Sequence, residues 1–112
     1  MKKIEAIIRP ERLGMVRKAL EEMNYPGMTI SEVKGHGKKK GLPQQWRGQE
    51  YRVDFLPKIK LEIVILDEDV SQTLNAITMG ARTGEIGDGK IFVLPVEGAV
   101  RVRTGDEGEN AI

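Results

Sequence analysis

The sequence contains no cysteine, which excludes disulfide bonds, thiolate catalysis and metal sites with cysteine ligands. Aromatic residues make up only 4% of the chain, so its core must be built from aliphatic side chains. No apolar run approaches the ~18 residues of a membrane-spanning helix. The N-terminal stretch MKKIEAIIRP is too polar for a signal peptide. We therefore expect a soluble cytoplasmic protein.

The charges almost cancel, with 18 Lys and Arg against 17 Asp and Glu and a net charge of +1. Such a chain has no global field that attracts nucleic acid or an anionic membrane, and we expect neither as a partner. Its 112 residues predict a single domain, 1–112. A chain of this size buries only about two-thirds of its unfolded surface, so it would gain stability by burying a sheet face in an oligomer.

The hydrophobic pattern describes two successive β-α-β units. The first has strands at 2–9 and 28–35 and a helix that begins at Pro10 and ends in the turn YPG. The second has a strand at 58–66, a helix at 67–81 with Asp67 as its N-cap, and a last strand that begins near Lys90. Two right-handed units of this length predict an α+β, ferredoxin-like βαββαβ sandwich with both helices on one sheet face.

The other sheet face is expected to mix charged and aliphatic side chains, which favours oligomer packing over it. The residues expected on this face are Lys3, Glu5, Ile7, Lys58, Lys60, Glu62 and Val64.

A long loop is predicted at 35–55, between the second and third strands, because this segment has four Gly, five Lys or Arg and few core-forming residues. Loops of this length in a compact domain are usually functional or disordered. Trp46 and Tyr51 within it are candidates for a partner anchor or a modification site, and local packing of the loop is the alternative.

The stretch GEIGDGK at 84–90 fits part of a Walker A phosphate loop. However, Ile91 stands where Ser or Thr should follow, and the next residues, IFVLPV, predict a strand instead of a helix. The three glycines can adopt positive φ and let successive N–H groups converge on an anion, with Lys90 adding a cation. The turn is therefore either a different kind of phosphate holder or an ordinary glycine turn.

The stretch VRVR places Arg101 and Arg103 two residues apart on the expected last strand. Both guanidinium groups would leave one face, with Val100 and Val102 in the core on the other. If the strand doubles back at 97–98, the arginines approach the glycine turn, and three cations with an anion nest suit a polyphosphate. Solvated arginines on an edge strand are the alternative.

No catalytic residue is predicted. His36 is the only histidine, and one histidine in a basic loop assembles neither a catalytic triad nor, without carboxylate partners, a metal site. The three acids at 67–69 are best explained by the helix dipole.

These segments, in this order, resemble the PII signal-transduction proteins of nitrogen regulation over the whole chain. TGEIGDGKIFVLPV at 83–96 carries the most specific likeness, and MKKIEAIIRP, GMTISEVKGHG, YRVDFLPKIKLEIV and VRVRTGDEG match as well. The resemblance implies a non-enzymatic homotrimer of ferredoxin-like subunits that binds ATP or ADP in the clefts between them. Its long loop, the T-loop, would control target proteins, of which an ammonium transporter is our first expectation.

The resemblance also implies a role for individual residues of the nucleotide site. The phosphates would be held by Gly87, Asp88, Gly89 and Lys90, with Arg101 and Arg103 reaching the outer ones. The adenosine end would be lined by Ile7, Gly27, Met28, Thr29, Glu62 and Val64, and the site would be closed from the loop side by Gly35, Gly37 and Lys38. Mg²⁺ bound with ATP would be held by the phosphates and the effector, without protein side chains.

The sequence departs from the family at the implied site for the effector 2-oxoglutarate, formed by Lys39, Lys40, Gly41 and Lys58. Lys39 stands where the family has a glutamine that ligates Mg²⁺, and a charged ammonium repels the ion. We expect 2-oxoglutarate binding to be weakened or lost, the alternative being that the loop adjusts and the effector still binds. Tyr51 occupies the position of the tyrosine that a nucleotidyltransferase modifies in this family, within an altered local sequence.

Two other functions remain open at this point. A small nucleotide-hydrolysing or phosphoryl-transfer enzyme would need a base or metal-holding acids near the turn, and none is evident. An RNA-binding module of the same fold would need base-stacking aromatics, whereas the chain has only two Phe.

Overall fold

The structure is a computed structural model that describes residues 1–25, 27–36, 44–46, 49–51 and 55–112. The elements in chain order are β1 (Lys2–Ile8), α1 (Leu13–Glu21), β2 (Met28–His36), β3 (Gln44–Trp46), β4 (Gln49–Tyr51), β5 (Phe55–Ile65), α2 (Val70–Ala81) and β6 (Gly89–Pro95). The main sheet is antiparallel with the order β2-β5-β1-β6, while β3 and β4 pair only with each other. This arrangement confirms the predicted ferredoxin-like fold.

The core lies between the sheet and the two helices. Alternate residues of β1 and β5 face the helices because side chains on a strand point to opposite faces in turn. Branched aliphatic residues at those positions meet the apolar stripes of α1 and α2, which recur at helical spacing. The buried hydrophobic residues are Ile4, Ala6, Ile8, Val16, Leu20, Ile59, Leu61, Ile63, Ile65, Ile77 and Ala81.

The two helices approach each other closely at Gly80. A Cβ atom at this position would lie 3.1 Å from the Cα of Val16, so α1 can pack here only because Gly80 has no side chain. Arg12, which precedes α1, donates a 2.8 Å hydrogen bond from Nε to the carbonyl oxygen of Gly80. That bond satisfies one of the carbonyl groups that the end of α2 leaves unpaired.

The helix-free face of the sheet carries the predicted charged and aliphatic residues. The β1–β5 register places Lys3 beside Val64, Glu5 beside Glu62, and Ile7 beside Lys60. These residues are all of intermediate exposure, and they alternate with the buried residues Ile4, Ala6, Leu61 and Ile63 of the same strands. The prediction for this face is therefore confirmed.

The prediction that Asp67 is the N-cap of the second helix is wrong. A 3₁₀ turn at Asp67–Asp69 precedes α2, and neither element has a side-chain cap hydrogen bond. The carboxylate of Asp67 instead lies 3.0 Å from the N-terminal ammonium of Met1. The start of β1 and the end of β5 are neighbours in the sheet, which brings these distant residues together.

The prediction of a last strand through Val100 and Val102 is also wrong. β6 ends at Pro95, and beyond it only Val100 forms an isolated bridge, to Glu107. Val100 is 65% exposed and Val102 is 99% exposed, so neither fills the core. The chain instead closes a compact turn in which the N–H of Arg101 donates to the carbonyl oxygen of Asp106. The acidic C-terminal tail, 104–112, is predicted from its sequence to be loose, but it contains a short 3₁₀ helix at Gly108–Ala111.

The end residues of the predicted loop at 35–55 lie in strands, since β2 continues to His36 and β5 begins at Phe55. The rings of these two residues are in contact, with centroids 5.5 Å apart and planes tilted by 48°. No helix among the described residues is long and apolar enough to cross a membrane.

Candidate functional site

The glycine turn connects α2 to β6. Gly84, Gly87 and Gly89 have φ angles of 89°, 100° and 110°, a region that glycine adopts without the steric strain of a side chain. The expectation of positive φ in this turn is thereby confirmed. At position 89 a glycine is also required for a steric reason, because the turn meets the backbone of β1 there.

The carboxylate of Asp88 holds the turn together from the inside. Its Oδ2 accepts hydrogen bonds of 2.8 Å from the backbone N–H groups of both Thr83 and Gly84. Its Oδ1 accepts one from the Thr83 hydroxyl and one of 3.0 Å from Nε of Arg9. Both carboxylate oxygens are therefore committed to the protein, so the Asp88 side chain shapes the turn.

The pKa of Asp88 is lowered well below its ordinary value of 3.8 by these contacts, first by the Thr83 hydroxyl and then by the backbone N–H groups and Arg9. A carboxyl group with a lowered folded-state pKa stabilises the fold above its ordinary pKa, and this contribution is lost as the pH falls further. We therefore predict that Asp88→Asn melts at a lower temperature than the wild type at pH 7. The difference should shrink between about pH 4 and pH 2, because the Asp88 carboxyl group of the unfolded wild-type chain takes up a proton there while that of the folded chain stays ionised.

Thermal melts of both proteins across this pH range measure the effect. Glu97→Gln is the matched control, since Glu97 is exposed and makes no hydrogen bond or ion pair within the described part of the chain. A gap between wild type and Asp88→Asn that stays constant down to pH 2 would contradict the role assigned to this carboxylate.

Two cations hold the turn from the side of the sheet. Arg9 follows β1 and donates a 2.8 Å hydrogen bond from its guanidinium group to the carbonyl oxygen of Ile86. Lys58 of β5 donates from its ammonium group to the carbonyl oxygen of Gly87. A Cβ at Gly87 would lie 3.4 Å from the Arg9 guanidinium and 3.7 Å from the Lys58 ammonium. Both cations therefore lie beside the turn proposed to hold phosphates.

Arg9 and Thr83 were missed by the sequence reasoning. Arg9 was interpreted only as the end of a strand, and Thr83 only as part of the family likeness. A weak signal existed for Thr83, since a hydroxyl residue at the entrance of a glycine turn with an internal Asp is a common hydrogen-bonding pair in loops. No local signal identifies Arg9, because its partners lie 77 and 79 positions away along the chain.

The register places several predicted site residues on the helix-free face. Lys90 lies beside Ile7 on the neighbouring strand, and Thr29 of β2 lies beside Glu62. The Lys90 side chain is exposed and makes no hydrogen bond or ion pair with any of the described residues. Val64 and Glu62 alternate with the buried Ile63, so they share this face. One sheet surface thus joins the turn to the residues expected at the adenosine end.

Other predicted residues are placed differently. Met28 lies beside Ile63, and its side chain packs against the core under the helices. Gly35 gives room to a neighbour, since a Cβ there would lie 3.0 Å from Cγ of Lys58. Gly27 is exposed, with open space where a side chain would be.

Arg101 and Arg103 lie in the C-terminal turn, so they do not share the face of a strand as predicted. A groove of about 430 Å³ runs between α2 and β6, and its lining includes Asp88, Gly89 and Lys90 but neither arginine. This groove therefore does not bring the two arginines together with Lys90 within one chain. Whether they meet between two copies of the chain stays a prediction.

The predicted residues Gly37, Lys38, Lys39, Lys40 and Gly41 lie outside the described residues, and for Tyr51 only the backbone, in β4, is described. Within the described ranges, no group of three or more His, Asp or Glu side chains is arranged to hold a metal ion.

The class of protein follows from the fold and the turn. This is a small α+β protein of ferredoxin-like topology whose α2–β6 connection is a glycine turn held by an internal carboxylate and two cations. The family model for Nitrogen regulatory protein P-II matches residues 1–106. The chain therefore belongs to the nitrogen regulatory protein P-II family, a family of non-enzymatic signalling proteins.

Curated relatives agree with this assignment over their full lengths. The nitrogen regulatory proteins P-II of Pasteurella multocida and Haemophilus influenzae are 56% and 57% identical over 112 residues, with 100% of each chain covered. The crystal structure of Arabidopsis thaliana PII bound to citrate matches with a TM-score of 0.80 and 46% identity. The match covers 99% of this chain and 91% of the Arabidopsis chain. The alternative of a nucleotide-hydrolysing enzyme is disfavoured by this membership.

Proposed function

We propose that this protein is a sensor of adenine nucleotides. ATP or ADP would bind at the interfaces between the copies of a homotrimer, with Mg²⁺ accompanying ATP. The occupied protein would then act on targets in the cytoplasm, such as an ammonium transporter, through the segment between β2 and β5. The observation that carries the proposal is the glycine turn, shaped by Asp88 and followed by the exposed Lys90, whose ammonium group has no partner in the described part of the chain.

The turn suits phosphates because of how its polar groups are divided. The Asp88 carboxylate is committed to Thr83, Gly84 and Arg9, so its negative charge is compensated within the protein. The backbone N–H groups of glycine turns can converge on an anion, and Lys90 can add a charge-assisted hydrogen bond. Charged hydrogen bonds contribute roughly 1.5–3 kcal/mol each, and a few of them reach the ~8 kcal/mol of a micromolar ligand before ordering costs.

The adenosine end would lie along the helix-free face of the sheet, next to Lys90. Ile7 and Val64 offer aliphatic surface there, while Thr29 and Glu62 offer a hydroxyl and a carboxylate. An apolar platform with few polar groups is the usual composition of a small-molecule site.

A second copy would complete the site. Phe92 and Leu94 on the same face of β6 are 50% and 36% exposed, and Val100 and Val102 of the C-terminal turn are exposed as well. Apolar side chains exposed beside a candidate site favour an interface. The C-terminal turn of a neighbouring copy would bring Arg101 and Arg103 to the phosphates held by Lys90.

The response to 2-oxoglutarate would be weakened in this protein. Lys58, the described member of the implied effector site, already donates to the carbonyl oxygen of Gly87. Lys39 in place of a glutamine would repel the Mg²⁺ that the effector requires. Modification of Tyr51 by a nucleotidyltransferase belongs to the same proposal.

Titration calorimetry of the purified protein, together with a mass measurement, tests the proposal. We expect a trimer that binds about one ATP or ADP per chain with micromolar affinity. We also expect little heat from 2-oxoglutarate in the presence of Mg-ATP. A monomer that binds neither nucleotide would contradict the main proposal, whereas tight binding of 2-oxoglutarate would contradict only its effector part.

A further inference from the structure

Four charged side chains form a closed ring at the centre of the helix-free sheet face. Lys3 Nζ lies 3.3 Å from Glu5 Oε1 and 2.6 Å from Glu62 Oε2. Lys60 Nζ lies 3.6 Å from Glu5 Oε1 and 3.3 Å from Glu62 Oε1. Each lysine therefore bridges both glutamates, and each glutamate meets both lysines. These four residues form the charge ring.

The strand register explains why the ring closes. Glu5 and Glu62 lie directly opposite each other on β1 and β5, a placement in which two like charges normally destabilise a sheet. Lys3 and Lys60 lie on the two diagonals and neutralise the pair from either side. The pKa of Glu62 is lowered, chiefly by Lys3 and also by Lys60, and the pKa of Lys3 is raised by Glu62 and Glu5.

The ring suits burial more than exposure. Its side chains are only 22–33% exposed although no helix covers them. Exposed ion pairs contribute little to the stability of a monomer, so four charges held in this geometry need another explanation. A neutral ring whose members all have partners can be covered by protein at a much smaller cost than an unpaired charge.

The surroundings of the ring indicate what covers it. Phe92 lies beside Glu5 and Leu94 beside Lys3 on β6, and both are partly exposed. Ile7 and Val64 flank the ring on β1 and β5. This part of the sheet face therefore has an electrically neutral centre and an apolar margin. The same face of a second copy of this chain has the same composition, so it can cover the charge ring without leaving a charge uncompensated.

We infer that the charge ring is a selectivity element, which lets identical copies of this chain assemble through the sheet face and rejects chains in which the ring is unbalanced. The inference rests on the proposed homotrimer and adds the residues that decide which chains it admits. Charge balance acts here by exclusion: a chain with an uncompensated charge at this face would bury that charge on assembly, and the penalty disfavours the mixed complex.

The test compares chains that differ only in ring charge. Lys3→Glu leaves three carboxylates and one ammonium in the ring, and we expect its assembly to require about 100-fold more protein than that of the wild type. Native mass spectrometry of wild-type and Lys3→Glu chains, refolded together, should then show mixed trimers far below the about three-quarters expected for random assortment. Lys18→Glu makes the same charge change at an exposed position of α1, so its chains should form mixed trimers with the wild type at random.

Further variants keep the result interpretable. If circular dichroism shows that Lys3→Glu does not fold, Lys3→Gln makes the same comparison with a smaller imbalance. A fourfold variant, Lys3→Glu with Glu5→Lys, Lys60→Glu and Glu62→Lys, restores an alternating neutral ring and should regain assembly with itself. A trimeric wild type that mixes randomly with folded Lys3→Glu or Lys3→Gln chains would overturn the inference alone. A monomeric wild type would overturn the proposed function as well.

Discussion

Gly89→Ala is expected to lower the free energy of unfolding by about 3–5 kcal/mol and to abolish nucleotide binding. A Cβ atom at this position would lie 1.7 Å from the carbonyl oxygen of Ile7, far inside contact distance. The φ angle of 110° is itself unfavourable for any residue with a side chain. Backbone strain of this kind costs about 1–3 kcal/mol, and overpacking costs a similar amount.

The backbone around Gly89 has little room to relieve the clash. Gly89 begins β6 and lies beside Ile8 in the β1–β6 register. Moving the chain away from Ile7 would disrupt this end of the ladder and shift the turn that precedes it. The same displacement would misplace the backbone N–H groups that are proposed to meet the phosphates.

Chemical denaturation and ATP titration of the variant measure both effects. Gly84→Ala is the matched control, because Gly84 has a φ of 89° but open space where the Cβ would be. It should show only the strain, about 1–2 kcal/mol. Gly98→Ala, also in open space and without positive φ, should be nearly neutral. Equal losses in Gly89→Ala and Gly84→Ala would mean that the contact with Ile7 is unimportant.

Lys90→Ala and Arg103→Ala are each expected to weaken ATP binding by about 10- to 150-fold, the equivalent of one lost charged hydrogen bond. Both side chains are exposed and neither has a hydrogen-bond or ion-pair partner among the described residues. Their removal should therefore leave the melting temperature of the free protein almost unchanged. Calorimetry and thermal melts separate the two effects.

Mixed assemblies of these two variants test whether the site is shared between copies. If Lys90 and Arg103 come from different chains, an interface that takes Lys90 from the Arg103→Ala chain and Arg103 from the Lys90→Ala chain is intact. In a random 1:1 mixture, about one quarter of the interfaces have this arrangement and should bind ATP with wild-type affinity. If both side chains come from one chain, no mixture restores binding.

The Lys18→Ala variant serves as a control for both measurements, because Lys18 lies on α1 and is exposed. Its ATP affinity should equal that of the wild type. A uniform loss of affinity in the mixed assemblies would assign the arginine to the same copy as Lys90.

Much of the fold was predictable because its signals are local. Alternation along β1 and β5 and helical spacing along α1 and α2 separate the faces of each element without knowledge of its neighbours. The exposed sheet face and the positive φ angles of the glycine turn followed from the same short-range patterns. The regions where prediction failed are those in which the local pattern was ambiguous.

Val100 and Val102 show one such ambiguity. Alternating Val and Arg is typical of a half-buried strand, but among the described residues this segment joins no strand of the main sheet and closes on itself through Arg101 and Asp106. Asp67 shows another, since a helix start was apparent from sequence while the Met1 ammonium that binds its carboxylate was not. Both outcomes depend on which chain segments meet in the folded molecule.

Short-range pattern was thus enough to establish two β-α-β units, their inward and outward faces and a glycine turn before the last strand. The partners of the charged groups depended on the assembled molecule. Arg9 reaches Asp88, Lys58 reaches Gly87, and Lys3 joins Glu62, each across tens of residues of chain. Such pairs are set by strand register and by the packing of helices on the sheet. Because the paired residues lie far apart along the chain, no local spacing in the sequence predicts them.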